Sequence, residues 1–126
     1  MVGTAERNLG DRISDARDFF QSMMRGTPDT AAFYFDSDLR ILIAGGPKLA
    51  DMGLSQAALE GKTIREAFDS TVAAELESAC QSALTGRPCT IEAQFKGRTI
   101  RQLVSPLPSE SGEILGGLVV NVDVTR

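Results

Sequence analysis

The chain contains no histidine among its 126 residues. Histidine is the commonest metal ligand, a frequent general acid and base, and a usual proximal ligand of haem iron. Its absence excludes haem binding through histidine and removes the residue on which much acid–base catalysis depends. The sequence therefore favours functions other than catalysis.

Cysteine is also scarce, with only Cys80 and Cys89 in the chain. Disulfides are rare in the reducing cytosol, and a free cysteine behaves as a small buried apolar residue. We therefore expect two free thiols without a disulfide. Cys80 lies on the apolar face of a predicted helix, where a packing role is expected.

Long apolar runs and an excess of basic charge are absent as well. No stretch reaches the roughly 20 apolar residues that span a bilayer, and the N-terminal MVGTAERNLGDR lacks the apolar core of a secretory signal. The net charge of −4 and the pI near 4.8 disfavour nucleic-acid binding, which requires clustered lysine and arginine. We expect a soluble cytoplasmic domain that neither enters a membrane nor binds nucleic acid.

Motifs for phosphate and metal binding are incomplete. Gly61-Lys62-Thr63 is similar to the end of a P-loop, but Gln56 stands where that motif requires glycine. No cluster of cysteine or aspartate has the spacing of a metal site. We predict neither a catalytic site nor a metal site.

Apolar residues recur at helical spacing near the N-terminus and predict an amphipathic helix over residues 8–25. Gly26 and Pro28 end this pattern. The helix has two alternative roles: it covers the outer face of a sheet, or it pairs with a second copy in a homodimer. The residues of its apolar stripe are Leu9, Ile13, Ala16, Phe20 and Met23.

The rest of the sequence predicts two strands, several helices and three further strands, a pattern typical of an α+β domain. Ser70 is the predicted N-cap of the longest helix. The strands are expected at residues 31–36, 40–44, 89–95, 99–105 and 114–125. The helices are expected at residues 48–53, 56–60, 64–68 and 70–84.

The last strand has one apolar row and one mixed row, at the period of two that a strand imposes. The apolar row contains Leu118, Val120 and Val122. The other row starts at Leu115 and contains small and polar residues. Because both faces need a cover, we expect the apolar row to contact the N-terminal helix or a second copy of the chain.

Three segments together resemble the PAS domain, a sensory module of signalling proteins: FYFDSDLRILIAGG, LSQAALEGKTIREAF and SGEILGGLVVNVDVTR. The resemblance covers residues 28–126 and leaves residues 1–27 as a flanking helix. It implies a five-stranded antiparallel sheet with the short helices and the long helix on one face. It also implies a bacterial, actinobacterial-type sensor at the N-terminus of a longer protein, whose output domain is a histidine kinase or a diguanylate cyclase.

The register of PAS domains implies which residues face the helices and line a ligand site. Most are apolar, with the exceptions of Gln102 and Asn121. Buried amides need hydrogen bonds, so these two are satisfied by backbone or water, or they anchor a ligand. The implied ligand is a small, mainly apolar molecule such as a fatty acid; the alternative is a ligand-free scaffold for dimerisation. The implied site consists of Phe33, Phe35, Ile41, Ile43, Leu49, Met52, Ile64, Val72, Leu76, Ile100, Gln102, Val104, Gly117, Val119 and Asn121.

Gly116 and Gly117 are unexpected within a strand, because glycine has no side chain to pack. On the inner face, Gly117 is expected to enlarge a cavity. On the outer face, Gly116 is expected to admit a large side chain from the first helix, such as Phe20. A β-bulge is the alternative explanation.

The resemblance also indicates whether the domain binds a photoactive flavin and where its signal leaves the domain. Flavin photoreceptors of the family carry a reactive cysteine in an Asn-Cys-Arg-Phe-Leu run, whereas the matching residues 63–67 here read TIREA. A photoactive flavin is therefore not expected. The C-terminal residues Asp123, Thr125 and Arg126 belong to an Asp-Val-Thr-Arg ending that is typical of the exit into a following signalling helix.

Overall fold

The computed structural model describes Asp18, Ser22, Gly26 and residues 29–125. Within residues 29–125 the strands are β1 (Thr30–Asp36), β2 (Ile41–Gly45), β3 (Cys89–Phe95), β4 (Arg98–Pro108) and β5 (Ile114–Asp123). The helices are α1 (Lys48–Asp51), α2 (Gln56–Leu59), α3 (Ile64–Ala67) and α4 (Ser70–Leu84).

The predicted N-terminal helix lies mostly beyond this description. Asp18 and Ser22 are helical. The stripe residues and the last residue of the predicted exit lie outside the described residues: Leu9, Ile13, Ala16, Phe20, Met23 and Arg126.

The five strands form one antiparallel sheet in the order β2-β1-β5-β4-β3. β5 is the central strand and joins the first hairpin to the last. The short helices and α4 pack on one face of this sheet. The predicted α+β fold is confirmed.

The main core lies between this inner face and the helices. In the β1–β5 pair, Phe33 lies opposite Val119 and Phe35 lies opposite Gly117. Because successive side chains of a strand point to opposite faces, these rows face the helices together. A stripe of α4 at helical spacing completes the core. Its buried residues are Ala73, Leu76, Ala79, Cys80 and Ala83.

Side-chain caps begin three of the four described helices, and at α2 the predicted cap Ser55 accepts a hydrogen bond from the Ala58 N–H at 3.1 Å. At α3 the Thr63 hydroxyl accepts a hydrogen bond from the Glu66 N–H, and the Glu66 carboxylate accepts one from the Thr63 N–H, which is a capping box. At α4 the Asp69 carboxylate accepts bonds from two N–H groups of the first turn. The predicted N-cap, Ser70, is wrong by one residue because the charged Asp69 is the better acceptor beside the positive helix terminus.

A β-bulge in β2 reverses the predicted direction of Ile43. Phe35 lies opposite Ile41 but Tyr34 lies opposite Ile43, so Leu42 is an extra residue on this strand. Ile43 therefore packs on the outer face, and the prediction that it faces the helices is wrong. The outer cluster consists of Ala32, Tyr34, Leu42, Ile43, Leu118 and Val120.

β4 continues through Pro106 and Pro108, whereas the sequence predicted its end at Ser105. β3 begins at Cys89 opposite Val104, so beyond Val104 the strand β4 pairs with β5 alone. Proline lacks an N–H and is tolerated on such an edge. The predicted loop over residues 106–112 is shortened accordingly.

The start of β5 also departs from simple alternation. Ile114 lies opposite Pro108 and Gly116 lies opposite Leu107, which leaves Leu115 as an extra residue. Leu115 is 51% exposed. The inner row of β5 therefore begins at Gly117, and the prediction that it begins at Leu115 is wrong.

Neither glycine of β5 leaves the space that the sequence predicts. A Cβ built on Gly117 would collide with the Phe35 ring and lie 2.8 Å from the Ser105 carbonyl oxygen. Phe35 thus fills this position and no cavity opens there. A Cβ built on Gly116 would collide with the Phe35 carbonyl oxygen and lie 3.2 Å from Asp36 Cα. The β1 backbone therefore requires glycine at position 116, whereas the predicted contact with Phe20 lies outside the described residues.

Replacing Gly116 by alanine should lower the free energy of unfolding by about 3 kcal/mol, because paired backbone cannot move aside easily. The control is Gly112→Ala, whose Cβ would meet nothing within 4 Å but whose φ is +89°. Its cost should be about 1 kcal/mol of left-handed strain. Urea denaturation measures both, and equal losses would contradict the steric explanation.

Candidate functional site

A small cavity lies between the inner face of the sheet and the helices. Its volume is about 20 Å³, which is enough for roughly one water molecule. Its wall is apolar apart from two amides. The lining residues are Ala31, Ala32, Phe33, Leu49, Met52, Leu54, Leu59, Phe68, Val72, Ala93, Phe95, Ile100, Gln102 and Asn121.

The structure divides the predicted site residues into three groups. Those on the cavity wall are Phe33, Leu49, Met52, Val72, Ile100, Gln102 and Asn121. Those in the core but not on the wall are Phe35, Ile41, Ile64, Leu76, Val104 and Val119. Ile43 on the outer face and Gly117 beneath the Phe35 ring do not reach the cavity.

Sequence reasoning missed several lining residues. Ala31 belongs to the same alternating row as Phe33, so the period of two could have identified it. Ala93 and Phe95 alternate on β3 in the same way. Ala32 belongs to the opposite row of β1 and to the outer cluster, so alternation does not predict its place on the wall. The other missed residues come from the short helices and their connections, where four-residue helices give too little periodicity to identify a buried face. These are Leu54, Leu59 and Phe68.

The two predicted amides bind each other. Gln102 lies opposite Asn121 in the β4–β5 pair, and its Nε2 donates a hydrogen bond to Asn121 Oδ1 at 2.8 Å. Asn121 Nδ2 donates to the Ala31 carbonyl oxygen at 3.1 Å. The two residues are 5% and 8% exposed. This amide pair links β4, β5 and β1 at the wall of the cavity.

One acceptor of the amide pair has no partner in the described part of the chain. The Gln102 side-chain oxygen has no hydrogen-bond partner among residues 29–125. No fully buried side-chain nitrogen or oxygen of the described residues lacks a partner, so this oxygen is accessible to a small molecule. Since Gln102 lines the cavity, its oxygen can accept a bond from water or from a ligand.

The largest half-buried side chains that line the cavity are Leu54, Phe68 and Phe95, and we call this group the mouth of the cavity. The Phe68 ring lies 6.1 Å from the Phe33 ring at an angle of 31°, within the range of favourable aromatic contacts. Lys96 Nζ lies 5.4 Å from the centre of the Phe95 ring. The mouth therefore combines aromatic side chains with a cation.

The two cysteines are free, as the sequence predicts. Cys80 is 0% exposed on α4, whereas Cys89 is half-buried at the start of β3. Burial raises the pKa of Cys80 to about 12, with further contributions from Cys89 and Glu77. Cys80 therefore remains a protonated thiol at neutral pH, and its role is packing.

Asp123, in the predicted signal exit, is held by several hydrogen bonds. Its carboxylate accepts bonds from Arg98 Nη1 at 2.6 Å and from the Thr125 N–H at 2.9 Å. Bonds from Thr125, and then from Arg98, hold the pKa of Asp123 well below its usual range. The Thr125 hydroxyl accepts a bond from the Thr99 N–H at 2.9 Å. The end of β5 is thereby fixed to the start of β4.

The family profile described as the PAS fold matches residues 27–126. The chain belongs to the PAS fold family. The match spans every described strand and helix from β1 to β5. No curated protein matches the chain.

Solved PAS structures have the same fold. The PAS domain of BvgS from Bordetella pertussis is 26% identical, with a TM-score of 0.70, and the match covers 89% of this chain and 88% of that chain. A sensory box sensor histidine kinase from Vibrio cholerae is 18% identical, with a TM-score of 0.65 and coverage of 94% and 100%. The Aer2 receptor from Vibrio cholerae, described as a dual PAS-heme oxygen sensor, is 20% identical, with a TM-score of 0.58 and coverage of 76% and 95%.

Two further observations concern the described part of this PAS domain. Its helices between residues 29 and 125 are all too short or too polar to cross a membrane. Within the same residues, no group of three or more histidine, cysteine, aspartate or glutamate side chains is placed to hold a metal ion.

Replacing Gln102 by methionine should lower the free energy of unfolding by about 1–3 kcal/mol, because Asn121 Oδ1 loses its donor in a buried position. The double variant Gln102→Met/Asn121→Leu removes both polar groups. It should recover part of this loss, and urea denaturation of the wild type, Gln102→Met, Asn121→Leu and the double variant measures the difference. A double variant that loses as much as the sum of the two single variants would contradict the pairing.

Replacing Asp123 by asparagine should destabilise the domain at neutral pH. Because folding lowers the pKa of Asp123, its contribution to stability is fully present above the unfolded pKa of about 4 and is lost as pH falls through the folded pKa. The difference in urea midpoint between wild type and Asp123→Asn should therefore be constant from about pH 5 to 8 and shrink below about pH 4. The exposed Glu110→Gln is the control, and a difference independent of pH would contradict this role.

Proposed function

We propose that this PAS domain is a regulatory sensor that binds a small, mainly apolar molecule in the cavity and passes the signal of binding to an output domain. The observation that carries the proposal is the cavity wall, which is apolar except for the amide pair. An apolar pocket with a few placed polar groups is the usual form of a small-molecule site. The open Gln102 oxygen adds one hydrogen-bond acceptor to this wall.

The size of the cavity limits the ligand and requires movement at the mouth. A cavity of about 20 Å³ holds water and nothing larger. Phe68 and Phe95 are half-buried, and each ring that turns outward leaves a space of benzene size, for which a cavity on the order of 150 Å³ suffices. The ligand is therefore compact, and a long fatty acid does not fit without larger changes.

The route to the output begins at the amide pair. Asn121 lies on β5 two residues before Asp123, and a ligand that displaces Gln102 changes the hydrogen bond between β4 and β5. The same two strands meet again at the exit, where the Val124 N–H donates to the Thr99 carbonyl oxygen at 2.9 Å. A ligand with different affinities for the two arrangements of these strands shifts their populations.

In this proposal the domain itself is non-catalytic and acts in the cytoplasm. Residues 28–126 form the sensor and residues 1–27 form a flanking helix that participates in a homodimer. The output domain, a histidine kinase or a diguanylate cyclase, follows Asp123, Thr125 and Arg126 in a longer protein. The support for this division is the family match over residues 27–126.

The second candidate function is a ligand-free scaffold for dimerisation. Two observations favour it: the cavity is nearly filled, and the amides of Gln102 and Asn121 already bind each other. In this alternative the outer cluster and the flanking helix form the dimer interface. A dimer that dissociates when residues 1–27 are removed supports the scaffold, whereas a dimer unchanged by this truncation excludes the helix as the interface.

Native mass spectrometry of the purified domain, with extraction and identification of any bound molecule, tests the ligand. We expect a bound small molecule in the wild type and its loss in Ala93→Phe, because Ala93 lines the cavity and the added ring fills it. The matched control is Ala74→Phe, which adds the same ring on the exposed side of α4. A wild-type domain that neither carries nor takes up any small apolar molecule would refute the ligand and favour the scaffold.

A further inference from the structure

Lys96 occupies an unusual position at the mouth of the cavity. It lies in the turn between β3 and β4 with a positive φ of 51°. Its Nζ lies 5.4 Å from the centre of the Phe95 ring, which is a favourable cation–π distance. Phe95 is itself a lining residue of the cavity. The exposed Lys96 side chain thus places its ammonium group over a residue that lines the cavity.

The opposite side of the rim contacts the same ammonium group. A Cβ built on Gly53 would collide with Lys96 Nζ, so the ammonium group lies directly against Gly53. Gly53 stands between Met52 and Leu54, and both of these line the cavity. Lys96 therefore bridges two walls of the mouth, from β3 to the connection between α1 and α2.

No carboxylate neutralises this cation within residues 29–125. Lys48 pairs with Asp51 at 3.3 Å, and Arg98 pairs with Asp123 at 2.6 Å. Lys96 has no ion pair with a described residue. Lys96 is an exposed residue whose ammonium group lies beside both Phe95 and Gly53, so it is open to an anion that approaches the mouth.

We infer that Lys96 binds the anionic head group of the ligand, so that the cavity takes a compact carboxylic acid with an apolar body. The inference rests on the proposed function and narrows its ligand to one chemical class. The polar groups deeper in the cavity are the neutral amides of Gln102 and Asn121, which cannot compensate a buried charge. Since an unpaired buried carboxylate is strongly disfavoured, the charged end stays at Lys96 and the apolar end passes Phe68 and Phe95.

Isothermal titration with octanoate and octan-1-ol separates charge from apolar contact, because the two probes share an eight-carbon chain. Lys96→Met keeps a long apolar side chain but removes the charge. It should lower the affinity for octanoate about tenfold, as expected for one charge-assisted hydrogen bond. The same variant should keep the affinity for octan-1-ol within about twofold of the wild-type value, since apolar burial is unchanged. Lys96→Arg keeps the charge and should retain octanoate binding within about threefold.

Two controls accompany these variants. Lys62→Met makes the same change of net charge at an exposed lysine whose Nζ bonds the Ala58 carbonyl oxygen, and it should alter neither affinity. Raising the salt concentration should lower the affinity of the wild-type protein for octanoate but not for octan-1-ol, because salt screens an exposed ion pair. The salt series needs no variant, so it tests the inference even where a substitution prevents folding.

The outcomes distinguish this inference from the proposed function. One possible result is that octanoate and octan-1-ol bind with equal affinity and that neither Lys96→Met nor salt changes it. That result would overturn the role of Lys96 and leave a neutral apolar ligand. If neither probe binds the wild-type protein, the proposal that the cavity binds a ligand is overturned, and the inference about Lys96 with it. Selective loss of octanoate in Lys96→Met, with both affinities unchanged in Lys62→Met, supports the inference.

Discussion

The pairing of β1 with β5 is the constraint on which the other features depend. Its register places Phe33 opposite Val119 and Phe35 opposite Gly117. A slip of one residue would turn both inner rows toward the outer face. The missing side chain at Gly117 leaves room for the Phe35 ring, and the missing side chain at Gly116 allows the β1 backbone to approach. The two glycines therefore fix the register, and the Phe35 ring fills the core above Gly117.

The same register brings the polar groups of the cavity together. Ala31 lies opposite Asn121, and its carbonyl oxygen accepts the Asn121 amide, while Gln102 approaches from β4. Three strands thus meet at one small polar site within an apolar wall. Because β5 continues from Asn121 to Asp123, a change at the amide pair acts on the strand that leads to the exit. The proposed function depends on this continuity and not on the volume of the cavity.

The sequence predicts the elements well because their signals are local. The period of two identified all five strands, and helical spacing with flanking glycine and proline identified α4. The extra residue Leu42, which turns Ile43 outward, depends on pairing with β1 and leaves no local signal. Likewise, the Phe35 ring over Gly117, and Lys96 beside Gly53, are contacts between distant segments. Such contacts decide where the cavity lies, so its mouth could not be predicted from the pattern alone.

The central claim is that occupation of the cavity reaches the C-terminal exit through the amide pair. Two-dimensional NMR of the amide groups, with and without saturating octanoate, tests it most directly. The account predicts shifts at Gln102 and Asn121 that extend to Thr99 and Val124, whose hydrogen bond joins β4 to the end of β5, and no shift at the exposed Ala74. Shifts confined to the mouth residues Leu54, Phe68 and Phe95 would contradict it.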